Sequence, residues 1–282
     1  PNRLRNNALI RLAQRLYLIG CASENAELPG PCIMSEQQKH FPEFYVTAPQ
    51  PCPYLTGRLE RKLFTHLSPE KPQLLVDNLL RGGFRRSQNI AYMPYCEGCH
   101  ACVSVRVLVD GFEQGRTMRR IFARNRCLSV VRVAPRAVSE QYALFRAYID
   151  ARHGDGGMAD MSVLDYSMMV EDSAVDTFLS EYRDPPADPF ARSGSNSKGR
   201  LRAVALCDRL SDGISMVYSF YDPAFEAASL GTYMILEHIE YARSLGLPYL
   251  YLGYWISGSR KMAYKTRFQP QEHLTSGGWK RA

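Results

Sequence analysis

Residues 229–268, SLGTYMILEHIEYARSLGLPYLYLGYWISGSRKMAYKTRF, organise the rest of the chain, because their pattern predicts a helix, an interior strand and a second helix. Thr232, Ile235, Leu236, Ile239 and Ala242 recur at the helical period while Glu237, Glu240, Arg243 and Ser244 take the other side, as in an amphipathic helix. Gly246 stands where a left-handed helix end is wanted, and Pro248 bars continuation. Over 249–254, Tyr249 and Tyr251 alternate with Leu250 and Leu252, a short apolar run suited to a strand buried between helices. Gly253 lets another backbone or a ligand come close. Upstream, 213–221 predicts the preceding strand, with Asp222 and Pro223 as its turn.

The order strand, loop, helix, strand, helix resembles the acyl-transferring half of the GNAT fold. In acetyl-CoA users of that fold the loop before the central helix is a Gly-rich nest that binds pyrophosphate through backbone N–H groups. Here Ala227, Ala228, Ser229, Leu230 and Gly231 stand in that place with one glycine, so a different acyl donor is expected.

Composition sets outer bounds. A chain of 282 residues, 45% hydrophobic and 22% charged, suits a globular enzyme, and its net charge of +7 permits a polyanionic partner without requiring one. No run approaches eighteen apolar residues, so no membrane-spanning helix is expected. Residues 1–33 begin on Pro1, precede the first methionine, Met34, and carry Arg3, Arg5, Arg11 and Arg15 around an apolar stretch that imitates a targeting peptide. Gln14 and Arg15 interrupt that stretch, so 1–33 is read as an extension outside the fold; without its four arginines and two glutamates the net charge falls from +7 to +5. Eight cysteines with no convincing export signal predict reduced thiols and a cytoplasmic location.

From Met34 onward, 49–55 is a proline-stiffened loop carrying Cys52, 60–64 a short strand or helix, and 74–80 a helix ended by Gly82 and Gly83. Phe84-Arg85-Arg86-Ser87 leads into 92–106, after which Val103, Val105, Val107 and Val109 alternate as in a strand. The spacing of Cys96, Cys99 and Cys102 suits thiolate coordination of zinc or an iron–sulfur cluster, with Cys52 as candidate fourth ligand; three reduced cysteines packing a turn is the plainer alternative. Cys96, Cys99 and His100 also spell a c-type haem attachment motif, which the need for export and the strand that follows argue against. Arg116, Arg120 and Arg124 at i, i+4 and i+8, with Arg119 beside them, make a cationic stripe if helical; with Arg85, Arg86 and Arg106 they are candidate phosphate contacts, against the alternative of a solvated face. A helix is predicted over 135–153, stopped by Gly154, with Arg152 and His153 a functional pair or simply a polar helix end. A second helical stretch is predicted over 162–182, an exposed loop over 184–199, and a strand pair over 202–207 and 214–221.

Taken together, Cys52-Pro53-Tyr54-Leu55, Phe84-Arg85-Arg86-Ser87, the 92–106 block, Arg119-Arg120 with Arg124-Asn125, Arg152-His153 and 229–270 follow a family order. Over about 51–279 the sequence resembles the bacterial branch of the arginyl-tRNA–protein transferase family, the aspartate/glutamate leucyltransferases; Ser104 stands where that family usually has proline. The resemblance implies an α+β protein with a GNAT-like C-terminal domain, 135–282, and a smaller cysteine-bearing N-terminal region, 34–134. It implies transfer of leucine from leucyl-tRNA to the N-terminal α-amine of proteins beginning with Asp or Glu, marking them for degradation. Aminolysis of an activated ester needs no ATP, acyl-CoA or other cofactor. It needs a neutral amine, donors for the oxyanion and a cation for the acceptor's carboxylate. These roles fall to Ser229, Gly231, Tyr251 and Tyr254 at the reacting centre, and to Arg152, His153, Leu230, Trp255, Lys261, Tyr264, Lys265 and Arg267 around the substrates. Arg85, Arg86, Arg106, Arg116, Arg119, Arg120 and Arg124 would hold tRNA, and the cysteine block falls where eukaryotic relatives hold an iron–sulfur cluster. The rivals are arginyl transfer, which an acidic donor pocket would favour over an apolar one, an acyl-CoA N-acetyltransferase, and a non-catalytic tRNA-binding or metal-sensing protein.

Overall fold

The computed structural model describes residues 2–3, 42–68, 73–152, 154, 158–186 and 199–282. The expectations for 4–33, for His153 and for most of the 184–199 loop lie outside the described residues.

An eight-stranded sheet forms the centre. In chain order its strands are β1 (Cys102–Leu108), β2 (Ser129–Val133), β3 (Thr177–Arg183), β4 (Leu201–Arg209), β5 (Gly213–Tyr221), β6 (Tyr249–Ile256), β7 (Gln271–Thr275) and β8 (Gly278–Arg281). They lie in the order β8-β7-β1-β6-β5-β4-β3-β2. Neighbours are antiparallel except β5 and β6, which are joined by helix α5 (Leu230–Ser244) and so run parallel. The alternation seen in the valines of β1 thus ends between two strands from the C-terminal half: the expected boundary at 134 does not separate two sheets.

Both faces of the sheet are covered. On one, α5 lays Met234, Ile235, Leu236 and Ile239 against Val105, Val107, Ala203, Ala205, Leu250 and Leu252, with α2 (Arg116–Asn125) adding Met118 and Ile121. Full burial of a Leu or Ile side chain contributes about 1.5–3 kcal/mol, so this face accounts for much of the fold. On the other, α3 (Ser139–Arg152) and α4 (Val163–Glu171) pack Phe145, Ile149, Tyr166 and Val170 on Val204, Leu206 and Phe220. Beside them α1 (Gln73–Arg81) and a five-stranded antiparallel sheet place Leu63, Leu79, Leu80 and Phe84 against Tyr251. Among the described residues no helix is long and apolar enough to cross a membrane.

Two expectations are corrected. The 162–182 stretch is not one helix: a capping box between Ser162 and Asp165 starts α4, and the chain then enters β3, every residue of which is buried. Without an exposed face the strand shows no period-2 alternation to separate it from a helix. The second helix expected after β6 is instead a run of 3₁₀ turns, Arg260–Arg267, whose polar sequence offers no apolar stripe.

The N-terminal layer is tied to the sheet by an ion pair. Arg86 Nε and Nη2 donate to the Asp208 carboxylate at 2.7 and 2.8 Å, with both side chains wholly buried and Thr177 Oγ1 donating at 2.7 Å to the same group. Arg86→Met should lower stability by about 3–5 kcal/mol, because it strands a buried carboxylate, and the double change with Asp208→Leu should recover most of it. Urea midpoints of the three proteins check this.

Candidate active site at the splay of the central sheet

β5 and β6 pair over only three positions, Gly213 with Tyr249, Ile214 with Leu250 and Ser215 with Tyr251, and then separate. Arg85, from the N-terminal layer, fills the opening: its Nη2 donates to the carbonyls of Met216 at 2.8 Å and Val217 at 3.2 Å, just past the last β5–β6 pair. Gly253, in the left-handed region at φ +75°, lets the guanidinium in, since a Cβ there would lie 2.3 Å from Arg85 Nη1. That Nη1 is buried and has no hydrogen-bond partner among the described residues. It adjoins a cavity of about 10 Å³, lined by Ser104, Ser215, Tyr251, Gly253 and Trp279 among others, with room for about one water.

Above the splay lies the start of α5. Ser229 adopts left-handed backbone, φ 54° and ψ 45°, and its side chain does not cap the helix. The N–H groups of Leu230 and Gly231 have no acceptor among the described residues, so two donors at the positive end of the helix dipole stay free. The preceding turn, Pro223–Ala228, is held from α2: Arg124 Nη1 donates to the carbonyl of Ala227, and Asn125 Nδ2 donates to that of Ala228 at 2.8 Å.

Aromatic rings wall the helix start. A Cβ on Gly231 would sit 3.4 Å from the Tyr221 ring, Tyr148 lies 5.0 Å from that ring centroid to centroid, and Arg152 stands over it while pairing with Glu226 at 2.9 Å. The Arg260–Arg267 turns close the far side, anchored by Arg267 Nη2 donating to Thr232 Oγ1 at 3.4 Å. Within them Tyr264 is 42% exposed and Lys265 only 7%, with Lys265 Nζ donating to the Tyr254 carbonyl. Burial, and then the charge of Arg85, lower the Lys265 ammonium to about 7.

The structure brings Ser229, Gly231, Arg152, Tyr264 and Arg267 from the sequence expectations to the start of α5, with Lys265 in the adjoining turn. Leu230 contributes only its N–H, because its side chain is in the core. Others are corrected. The Tyr251 hydroxyl donates to Asp212 at 3.0 Å and accepts from Arg106 at 3.0 Å on the opposite face, and that of Tyr254 bonds the carbonyls of Gly83 at 2.9 Å and Tyr92 at 3.2 Å. Both phenols are engaged in these bonds, and burial raises their pKa. Trp255 stacks on His273 at 5.3 Å, and Lys261 is exposed.

Among the expected phosphate contacts, Arg86 is in its buried ion pair. Arg106 pairs with Glu272 at 2.7 Å between the rings of Tyr249 and Trp279, and Arg85 plugs the splay; none of the three is a surface cation. Arg116, Arg119, Arg120 and Arg124 are exposed along α2 as the spacing predicted. Sequence reasoning missed Tyr148, Tyr221 and Glu226. Tyr221 ends a predicted strand just before the Asp222-Pro223 turn, a signal that could have placed it at the helix start; Tyr148 carries none.

Cys52, Cys96, Cys99 and Cys102 come together: burial, and next the neighbouring Cys96, Cys52 and Cys99, push the Cys102 thiol up to about 11. Yet among the described residues no three His, Cys, Asp or Glu side chains converge as ion ligands do. No chemical step is routed through a metal or cluster at these thiols.

Two family models described as arginine-tRNA-protein transferase match the chain, the N terminus over 50–120 and the C terminus over 140–275. The chain belongs to this family. Proteins called aspartate/glutamate leucyltransferase from Parvibaculum lavamentivorans and Xanthobacter autotrophicus are 58% and 59% identical over 248 and 249 residues, 88% of this chain and 98% and 99% of theirs. One from Brucella suis is 56% identical over 248 residues, covering 88% and 99%. Membership of the arginine-tRNA-protein transferase family makes the chain an aminoacyltransferase and displaces both the acetyltransferase and the non-catalytic readings. In this family member the splay depends on glycine. Gly253→Ala, which combines left-handed strain with a collision on Arg85, should cost about 2 kcal/mol or more and lower the transfer rate; thermal unfolding and a single-turnover assay check it.

Proposed function

We propose that the cleft transfers leucine from leucyl-tRNA to the α-amine of proteins that begin with Asp or Glu, on a GNAT-like arrangement of β5, α5 and β6. One observation carries this reading: two free N–H groups, of Leu230 and Gly231, at the start of a helix beside an aromatic-walled cleft. In ester aminolysis the amine attacks the carbonyl carbon, charge gathers on the carbonyl oxygen, and the ribose oxygen leaves. The two N–H groups donate to that oxygen as its charge develops, a contribution worth about 3–4 kcal/mol per donor in comparable sites. Holding amine and ester in one cleft supplies much of the remaining rate.

The donor side favours leucine over arginine. Its walls are Tyr148, Tyr221 and Tyr264, and the acids at its mouth are already paired, Glu226 with Arg152 and Asp222 with Arg200 and Arg202. An arginyl side chain would find no free carboxylate among these, whereas a leucyl side chain would bury against the rings. Arg267, which has no carboxylate partner among the described residues, is the cation for the acceptor's carboxylate. The name of the relatives, aspartate/glutamate leucyltransferase, agrees with this donor and this acceptor.

Arg116, Arg119 and Arg120 on α2 serve as phosphate contacts for the tRNA. The same helix holds Ala227 and Ala228 through Arg124 and Asn125, so docking the nucleic acid steadies the loop that presents the N–H donors.

Purified protein given leucyl-tRNA and arginyl-tRNA in parallel, with peptides starting in Asp, Glu, Arg or Ala, should incorporate leucine into the Asp and Glu peptides alone. Arginine incorporation would overturn the donor assignment. Arg119→Ala with Arg120→Ala should weaken tRNA binding and reduce the slope of log K against log salt by about one to two, as read by filter binding at several salt concentrations. An unchanged slope would remove these two residues from the interface.

A further inference from the structure

We propose that Lys265 is the general base of the transfer and that Arg85, through the splay of the sheet, is the positioning residue that holds it ready. This rests on the leucyl-transfer reading of the cleft. The geometry begins with what Lys265 lacks. Among the described residues it has no carboxylate partner, and its one hydrogen bond is to the Tyr254 carbonyl, donated across the end of β6. The charged or titratable groups that face it are Arg85, reaching through the splay, and Tyr264, whose ring centroid lies 5.9 Å from Nζ in the same turn. A buried ammonium with a guanidinium beside it and no anion is disfavoured, which is why its proton is lost near neutrality rather than at the ordinary lysine value.

Tyr264 continues toward Tyr221, the ring that flanks Gly231, and Arg267 bonds Thr232 in the first turn of α5. The lysine therefore belongs to the turn that packs, through Tyr264 and Arg267, against the start of α5, where the two N–H donors lie, and it faces the splay through Arg85. The neutral amine of Lys265 takes the proton released from the acceptor nitrogen as the C–N bond forms. It returns that proton to the ribose oxygen as the C–O bond breaks, so atoms and charge balance with no further reactant. Arg85 has two tasks in this arrangement: it bonds the opened strands, and its charge keeps Lys265 unprotonated.

The test uses the full chain, leucyl-tRNA and an Asp-initial peptide. In the wild type kcat/KM should rise with pH through an ionisation near 7, separate from that of the acceptor amine near 8. Lys265→Arg, which keeps the cation and the bond to Tyr254, should fold, bind leucyl-tRNA and lose at least about 100-fold in kcat. Lys265→Ala should be rescued by small primary amines in proportion to their basicity, a response that a packing residue does not give. Arg85→Gln should move the lower ionisation to higher pH; if that variant does not fold, the two lysine variants decide alone. A Lys265→Arg enzyme within a few-fold of wild type, or a Lys265→Ala enzyme that no amine rescues, overturns the inference while wild-type transfer leaves the leucyl-transfer reading standing. A wild type that transfers nothing removes both.

Discussion

Arg85 in the splay of the central sheet is the contact on which the rest depends. Parting two parallel strands exposes carbonyls that have no ladder partner, and a buried unpaired carbonyl costs about 1–3 kcal/mol. A guanidinium from another layer supplies the missing donors to Met216 and Val217, and it fits only because Gly253 has no side chain. The opening that makes a cleft possible is thereby stabilised rather than merely tolerated. The same charge reaches Lys265 on the cleft side, so a structural contact also sets the electrostatics of the site.

The two halves of the chain are consequently not independent. β1 runs between β6 and β7, Arg86 is locked to Asp208, Arg106 is held between Tyr249 and Trp279 against Glu272, and Tyr254 bonds carbonyls of Gly83 and Tyr92. Each link is buried or half-buried and directional, which fixes the N-terminal layer against the sheet far more sharply than apolar packing alone would. Two family models for one continuous enzyme make physical sense on this scaffold: the N-terminal segment supplies Arg85, and the C-terminal segment supplies the strands that Arg85 holds apart.

The helix start follows a similar logic. A left-handed Ser229 with no side-chain cap leaves donors that a stable helix would ordinarily satisfy. The loop before it is instead fastened from outside by Arg124 and Asn125, so its geometry is kept while its N–H groups remain available.

The sequence by itself determined the elements with a clear period: the amphipathic α5, the cationic α2, the valine strand β1, and the Ser229–Gly231 helix start. It also pointed to the family, because the residue types in those elements are dictated locally. The tertiary structure alone decided which cations are surface and which are buried, since Arg85, Arg86 and Arg106 look alike along the chain and differ only in what the fold packs against them. It likewise decided that the Tyr251 and Tyr254 hydroxyls are engaged in hydrogen bonds while Tyr148 and Tyr221 lie at the start of α5, because the groups that meet depend on register and on the irregularity after Tyr251, which alternation cannot foresee. Lys265 is the sharpest case. Its lowered pKa comes from burial and from a guanidinium 180 positions away in the chain, two properties that exist only once the sheet has formed.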